Sequence, residues 1–117
     1  MKIKVGELSG NALDWSVAKC EGQHAVIDDG YVCSSKTVLF EEYKFLWQPS
    51  TNWEQGGVII EREGIALLQR PMGYWVASLD RTCEGDAPLI ASMRCYVASK
   101  LGDEVEIPDE LFEGVEQ

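Results

Sequence analysis

Apolar positions recur at helical spacing most regularly between residues 86 and 102. Leu89, Ile90, Met93, Tyr96, Val97 and Leu101 share one face at a 3.6-residue period. Ala87, Ala91 and Ala98 widen that face, and only Ser92, Cys95 and Ser99 mark a more polar back. Asp86 suits the N-cap, Pro88 the first turn, and Gly102 a left-handed C-terminal cap. The pattern predicts a helix laid closely on a sheet, with small residues permitting the approach. Arg94 falls at the edge of the apolar face. Two readings of it stand: a guanidinium that snorkels or pairs with a carboxylate at the core margin, or one that binds an anion.

Two more helices and several strands follow from the same patterning. Ser9 caps a helix to about Cys20, stopped by Gly22, with Leu13, Val17 and Cys20 in one stripe. Trp15 points nearly the opposite way, either covered by another segment or exposed as an anchor for a partner. Thr51-Asn52-Trp53-Glu54 fits a capping box for a helix through Glu63, stopped by Gly64. Gly56-Gly57 inside it costs about 1 kcal/mol per glycine relative to alanine, which a close backbone approach would justify. His24–Ile27 reads as a strand ending at the Asp28-Asp29-Gly30 turn, with Val32 and Cys33 on the return. Thr37–Phe40 and Tyr43–Trp47 pair as a hairpin across Glu41-Glu42. Ile65–Arg70 and Tyr74–Leu79 pair across Pro71-Met72-Gly73. Arg81 to Gly85 reads as a lead into the last helix. Val105 and Ile107 suggest a short edge strand, Pro108–Phe112 a last helical turn, and the final residues fray. The expected fold class is α+β: three helices on a small, mainly antiparallel sheet, with a three-layer α-β-α sandwich as one arrangement.

At 117 residues the chain is expected to form one domain, 1–117, with a sizeable core. It has no apolar run after its first residues and none near the ~20 residues of a membrane span, so neither a signal peptide nor membrane insertion is expected. The four cysteines form no C-x-x-C pair and His24 is the single histidine, which argues against zinc and for reduced thiols. No cofactor is expected. The net charge is −10, and residues 102–117 carry seven acidic side chains with no Lys or Arg, leaving residues 1–101 at −3. Direct nucleic-acid binding is disfavoured without a basic footprint. Six of the eleven aromatics lie between Tyr31 and Trp53, but only Lys36 and Lys44 are interleaved with them. Packing explains them better than a base-stacking platform.

Three groups of residues resemble a known family. Glu7-Leu8-Ser9-Gly10, Ala12-Leu13-Asp14-Trp15 and Val17-Ala18-Lys19 are similar to its opening motif. Pro49–Trp53, Gln55-Gly56-Gly57 and Ile59–Glu63 are similar to its centre. Pro88–Ala91, Met93-Arg94-Cys95 and Val97–Val105 are similar to its close. The family is the NinX-type proteins of lambdoid phages and their prophages, a domain of unknown function. Val58 stands where that pattern has a proline, and residues 31–47 match least. The layout is also similar to small phage α-β-α sandwich domains. The resemblance implies a phage or prophage accessory protein in the cytoplasm of a bacterial host. It carries no activity, cofactor or catalytic residue with it.

The residues themselves offer no nucleophile elbow, metal spacing or phosphate loop. Asp28-Asp29 before glycine is turn chemistry rather than a catalytic pair. A non-enzymatic module binding a host or phage protein is therefore the expected function, and a homodimer is compatible with it. Its candidate surface comprises Trp15, Trp47, Trp53, Gln55, Gly56, Gly57, Arg94, Asp103 and Glu104. One alternative is an acidic DNA mimic or anti-defence inhibitor acting through residues 102–117. Another is a small enzyme with an unrecognised carboxylate site, which requires a pocket joining Arg94 or His24 to two carboxylates.

Overall fold

The helix spanning Pro88–Leu101 (α3) is the centre of the molecule. The computed structural model describes the backbone of residues 1–114 and the side chains of residues 1–111. Every residue of α3 from Ala91 to Ala98 is buried, including Ser92, Arg94 and Cys95. The polar back expected there does not exist, because α3 is covered on both sides. A three-stranded antiparallel sheet lies on one side, formed by β5 (Ala66–Gln69), β6 (Trp75–Ser78) and β7 (Thr82–Gly85). Helices α1 (Gly10–Cys20) and α2 (Trp53–Glu63) pack on the other. Ser92 Oγ turns its donor onto Pro88 O at 2.7 Å and Cys95 Sγ onto Arg81 O at 3.1 Å, so both polar groups are satisfied where they are buried.

The architecture is α+β with three helices, but the one small sheet expected is three separate antiparallel ones. α3 touches the β5–β7 sheet as well as α1 and α2, and α1 also touches β3. β7 takes the stretch expected as a plain lead into α3. Its last residue, Gly85, lies so close to α3 that an added Cβ would sit 2.6 Å from Ala91 N. The second sheet comprises β2 (Val26–Asp28), β3 (Tyr31–Val38) and β4 (Glu41–Leu46). The third pairs β1 (Lys2–Lys4) with β8 (Glu104–Glu106).

Several boundaries differ from the sequence expectation for local reasons. Asp86 does not cap α3: Ala87 is the N-cap and Pro88 the first helical residue. Asn52, not Thr51, caps α2, its Oδ1 accepting from Glu54 N at 2.9 Å. Gly64 closes α2 in the left-handed conformation, with φ 70° and ψ 39°. Gly102 follows α3 at φ 92° and ψ −168°, a glycine conformation but not the left-handed cap expected. The β3–β4 hairpin turns at Leu39-Phe40, not Glu41-Glu42, and both turn residues have positive φ, 51° and 69°.

Residues 102–111 of the acidic C-terminal segment are part of the body. Val105, Ile107 and Leu111 are buried, and β8 is locked to β1. Asp109–Gly114 forms 3₁₀ turns beside α1, in place of the single helical turn expected. The expected fraying of the final residues lies outside the described ones. No helix among the described residues is long and apolar enough to cross a membrane.

The three helices are tied together by one polar cluster. Arg62 donates from Nη1 and Nη2 to the two carboxylate oxygens of Glu21 at 3.0 and 2.6 Å. Tyr96 OH donates to Glu21 Oε2 at 2.5 Å. Such a fork-to-fork contact is directional and joins α1, α2 and α3 at one point.

Asp14, on α1, is buried and its Oδ1 accepts from Ser50 N at 2.8 Å, pinning the loop before α2. Burial pushes its carboxyl up to about 6, against the lowering effect of the Ser50 bonds. The folded state therefore holds a proton that the unfolded chain releases near pH 4. Stability from this group is fully present below the unfolded value and is lost as pH rises through about 6. At ~1.36 kcal/mol per pKa unit the loss approaches about 3 kcal/mol. Asp14→Asn should flatten the difference in unfolding free energy between pH 4 and 7. Urea titrations of both proteins across that range test it, and parallel profiles would show that Asp14 is solvated.

Candidate protein-interaction surface

One shallow groove collects apolar and charged groups from three elements. Trp15 lies midway along α1, turned away from the buried Leu13 and Val17, and is half-buried. Lys19, one turn further on, places its ammonium 4.8 Å from the Trp15 ring centroid. Leu101, the last residue of α3, is 45 % exposed. Glu104, Val105 and Glu106 of β8 complete the lining of a groove of about 440 Å³. Its floor is apolar and its outer rim carries two carboxylates.

The remaining sequence candidates do not join this groove. Trp53, the first residue of α2, is 56 % exposed and borders a separate depression with Ser50, Thr51, Pro88 and Ile90. Trp47, expected at the surface, is buried in the core, because the chain continues alongside β3 there, with Trp47 N donating to Val32 O at 2.9 Å and the indole edge-on to Phe45. Gln55 is held by its own loop: Oε1 accepts from Gln48 N at 2.6 Å and Nε2 donates to Leu46 O at 2.8 Å. Gly56 is buried against Pro49 and Leu89, and Gly57 is half-exposed. Asp103 is exposed and ion-paired with Arg81.

Arg94 is 4 % exposed, with Nε donating to Leu8 O at 2.7 Å and Nη1 to Glu84 O at 2.9 Å. The guanidinium lies at the core and holds two backbone carbonyls, one from each of two distant segments. Arg94 also lines a polar cleft of about 520 Å³ with Tyr74, Cys83, Glu84 and Asp86. Glu84 and Asp86 are exposed. Three of the four thiols are held in their protonated form. Burial pushes Cys20 up to about 12 and Cys95 up to about 11, and it raises Cys83 as well. His24 is exposed, and among the described residues no three His, Cys, Asp or Glu side chains converge on a metal position.

Three surface features escaped the sequence reading. Lys19, four residues after Trp15 on the same helix, was a legible cation–π signal. Leu101 was counted on the buried face, but the helix ends there and carries it past the core. Leu39 and Phe40 are almost fully exposed at the β3–β4 tip. No Gly or Asn marks that turn, so the sequence held no signal for it.

Fold and surface together define a small acidic α+β protein with shallow recesses of mixed polarity. A family model described as Bacteriophage P22, NinX matches residues 4–100, and the chain belongs to that family. Membership places it among phage accessory proteins. No curated protein matches the chain. The match takes in Trp15, Lys19, all of α1 and α2, and α3 as far as Lys100, and ends before Leu101 and β8.

Proposed function

We propose that the protein is a non-enzymatic binding module that modulates a host or phage protein in the bacterial cytoplasm. The observation that carries this reading is the groove at Trp15. An indole and a leucine are left accessible beside charged groups, the mixture that anchors protein interfaces. Capture of partners from host lysate by the full chain tests it. Trp15→Ala and Trp53→Ala should each weaken capture several-fold with unchanged far-ultraviolet dichroism and thermal midpoint. If both variants simply unfold, the two rings are core and the reading falls.

Two other readings have specific support. An acidic inhibitor of a basic cleft is favoured by the exposed Asp103, Glu104, Glu106, Asp109 and Glu110. Removing the segment would also remove buried core residues, so neutralising those five side chains is the cleaner test. Binding that falls steeply with salt and disappears in the neutralised variant would support this inhibitor over the module. A carboxylate enzyme is favoured by the cleft that joins Arg94 to Glu84 and Asp86. Glu84 and Asp86 are both exposed, which supports the binding module over this reading.

A further inference from the structure

We propose that the edge of β8 that pairs with no strand among the described residues accepts an extended peptide as an added strand, and that the peptide alternates basic and apolar residues. The inference deepens the binding-module reading and rests on it. β8 and β1 form a sheet of their own, in the register Lys2–Glu106, Ile3–Val105, Lys4–Glu104. Two bonds just beyond the ladder fix which way the backbone of β8 faces. Val5 N donates to Asp103 O at 2.8 Å, and Ile107 N donates to Met1 O at 2.7 Å. Residues of an antiparallel strand alternate between bonding to one neighbour and turning their N–H and C=O to the other side. Asp103, Val105 and Ile107 therefore face β1. Glu104 and Glu106 direct their N–H and C=O groups to the opposite edge, which runs along the Trp15 groove.

Side-chain geometry then sets the sequence that fits. Successive side chains of a strand point to opposite faces, and residues directly opposite each other share a face. A residue opposite Val105 points toward the groove floor, where Trp15 and Leu101 offer apolar surface. Its two neighbours lie opposite Glu104 and Glu106 and meet exposed carboxylates. The matching pattern is basic–apolar–basic. β1 already shows it on the other side of the same strand: Lys2-Ile3-Lys4 lies against Glu106, Val105 and Glu104. Glu106 Oε1 also accepts from the Met1 amine at 2.9 Å, which leaves Glu104 the freer of the two. The overall charge of −10 favours a basic segment further. Main-chain bonds would supply affinity and alternate side chains the selectivity, as in other strand-addition sites.

The probe is a capped nine-residue peptide alternating lysine and isoleucine, added to the full-length protein. Backbone amide exchange should slow at least about tenfold at Glu104 and Glu106 and stay unchanged at Val105, whose N–H already faces β1. N-methylating alternate peptide amides should weaken binding about tenfold, the worth of one or two lost hydrogen bonds. Trp15→Ala should weaken it several-fold. The inference is overturned if those amides are unprotected, if the N-methylated peptide binds equally, or if alternating glutamate and isoleucine bind as well. Protection that rises with protein concentration alone would assign the edge to a second copy and overturn it too. Should the peptide fail while Trp15→Ala still weakens partner capture, strand addition falls and the module stands. Should Trp15→Ala leave capture unchanged as well, both fall.

Discussion

Arg94→Ala is expected to cost about 3–6 kcal/mol and lower the thermal midpoint by roughly 15 °C or more. The side chain ties α3 to two other segments of the chain. Its Nε holds Leu8 O, at the end of the 3₁₀ turn after β1, and its Nη1 holds Glu84 O in β7. Truncation leaves two carbonyls without these donors in a nearly closed environment, at about 1–3 kcal/mol each, and opens a void beneath the polar cleft. Against a typical total of about 5–15 kcal/mol, that is a large share of the stability. Arg94→Lys should recover little, because one ammonium on a flexible stem cannot hold two divergent acceptors as a planar fork does. Thermal unfolding followed by circular dichroism measures both variants. A drop of only a few degrees in the alanine variant would mean that water reaches Leu8 O and Glu84 O.

The same residue shows where the sequence was informative and where it stopped. The helical period of residues 87–101 identified the element around which everything else is built. It could not show that α3 has no exposed side, because periodicity reports one apolar face and not what covers the other. Ser92 and Cys95 read as polar markers, yet each turns its donor onto a nearby carbonyl and tolerates burial. Arg94 read as marginal because a long cation is normally at the surface. Its carbonyl partners come from 86 and 10 residues away, and no local pattern encodes them. Turn chemistry was legible where glycine carried it, as at Asp29-Gly30 with φ 52° and 81°. It failed at Leu39-Phe40, where two bulky residues hold a conformation that glycine and asparagine favour. The groove at Trp15 was half legible. The indole was singled out, but its neighbours come from the end of α3 and from β8, which only the fold brings together. Charge misled in one respect. Residues 102–117 stand out in the sequence for seven acids and no base, whereas the apolar residues Val105, Ile107 and Leu111 among them complete the core.

Two adjacent glycines should respond to the same substitution with opposite signs. Gly56 lies where α2 passes the preceding loop and α3. An added Cβ would sit 2.3 Å from Pro49 O and 2.6 Å from Leu89 Cδ2. The leucine can rotate, but the carbonyl cannot readily retreat. Its loop is held on both sides, by Ser50 N on Asp14 and by Gln48 N on Gln55. Gly56→Ala should therefore cost about 2–4 kcal/mol, as overpacking of a close contact does, despite a helix-propensity gain of up to about 1 kcal/mol. At Gly57 the nearest atom to the added Cβ is Trp53 Cε3 at 3.5 Å, an ordinary contact. Gly57→Ala should keep the propensity gain and stabilise the protein by about 0.5–1 kcal/mol. Urea unfolding resolves the pair as midpoint shifts in opposite directions at constant slope. A neutral Gly56→Ala would mean that the 48–52 loop yields to α2. Trp53 would then sit on a depression whose shape is adjustable, since Ser50 and Thr51 on that loop form one wall and Pro88 and Ile90 the other. A strongly destabilised variant would instead show that the depression beside Trp53 is pre-formed by the backbone contact at Gly56.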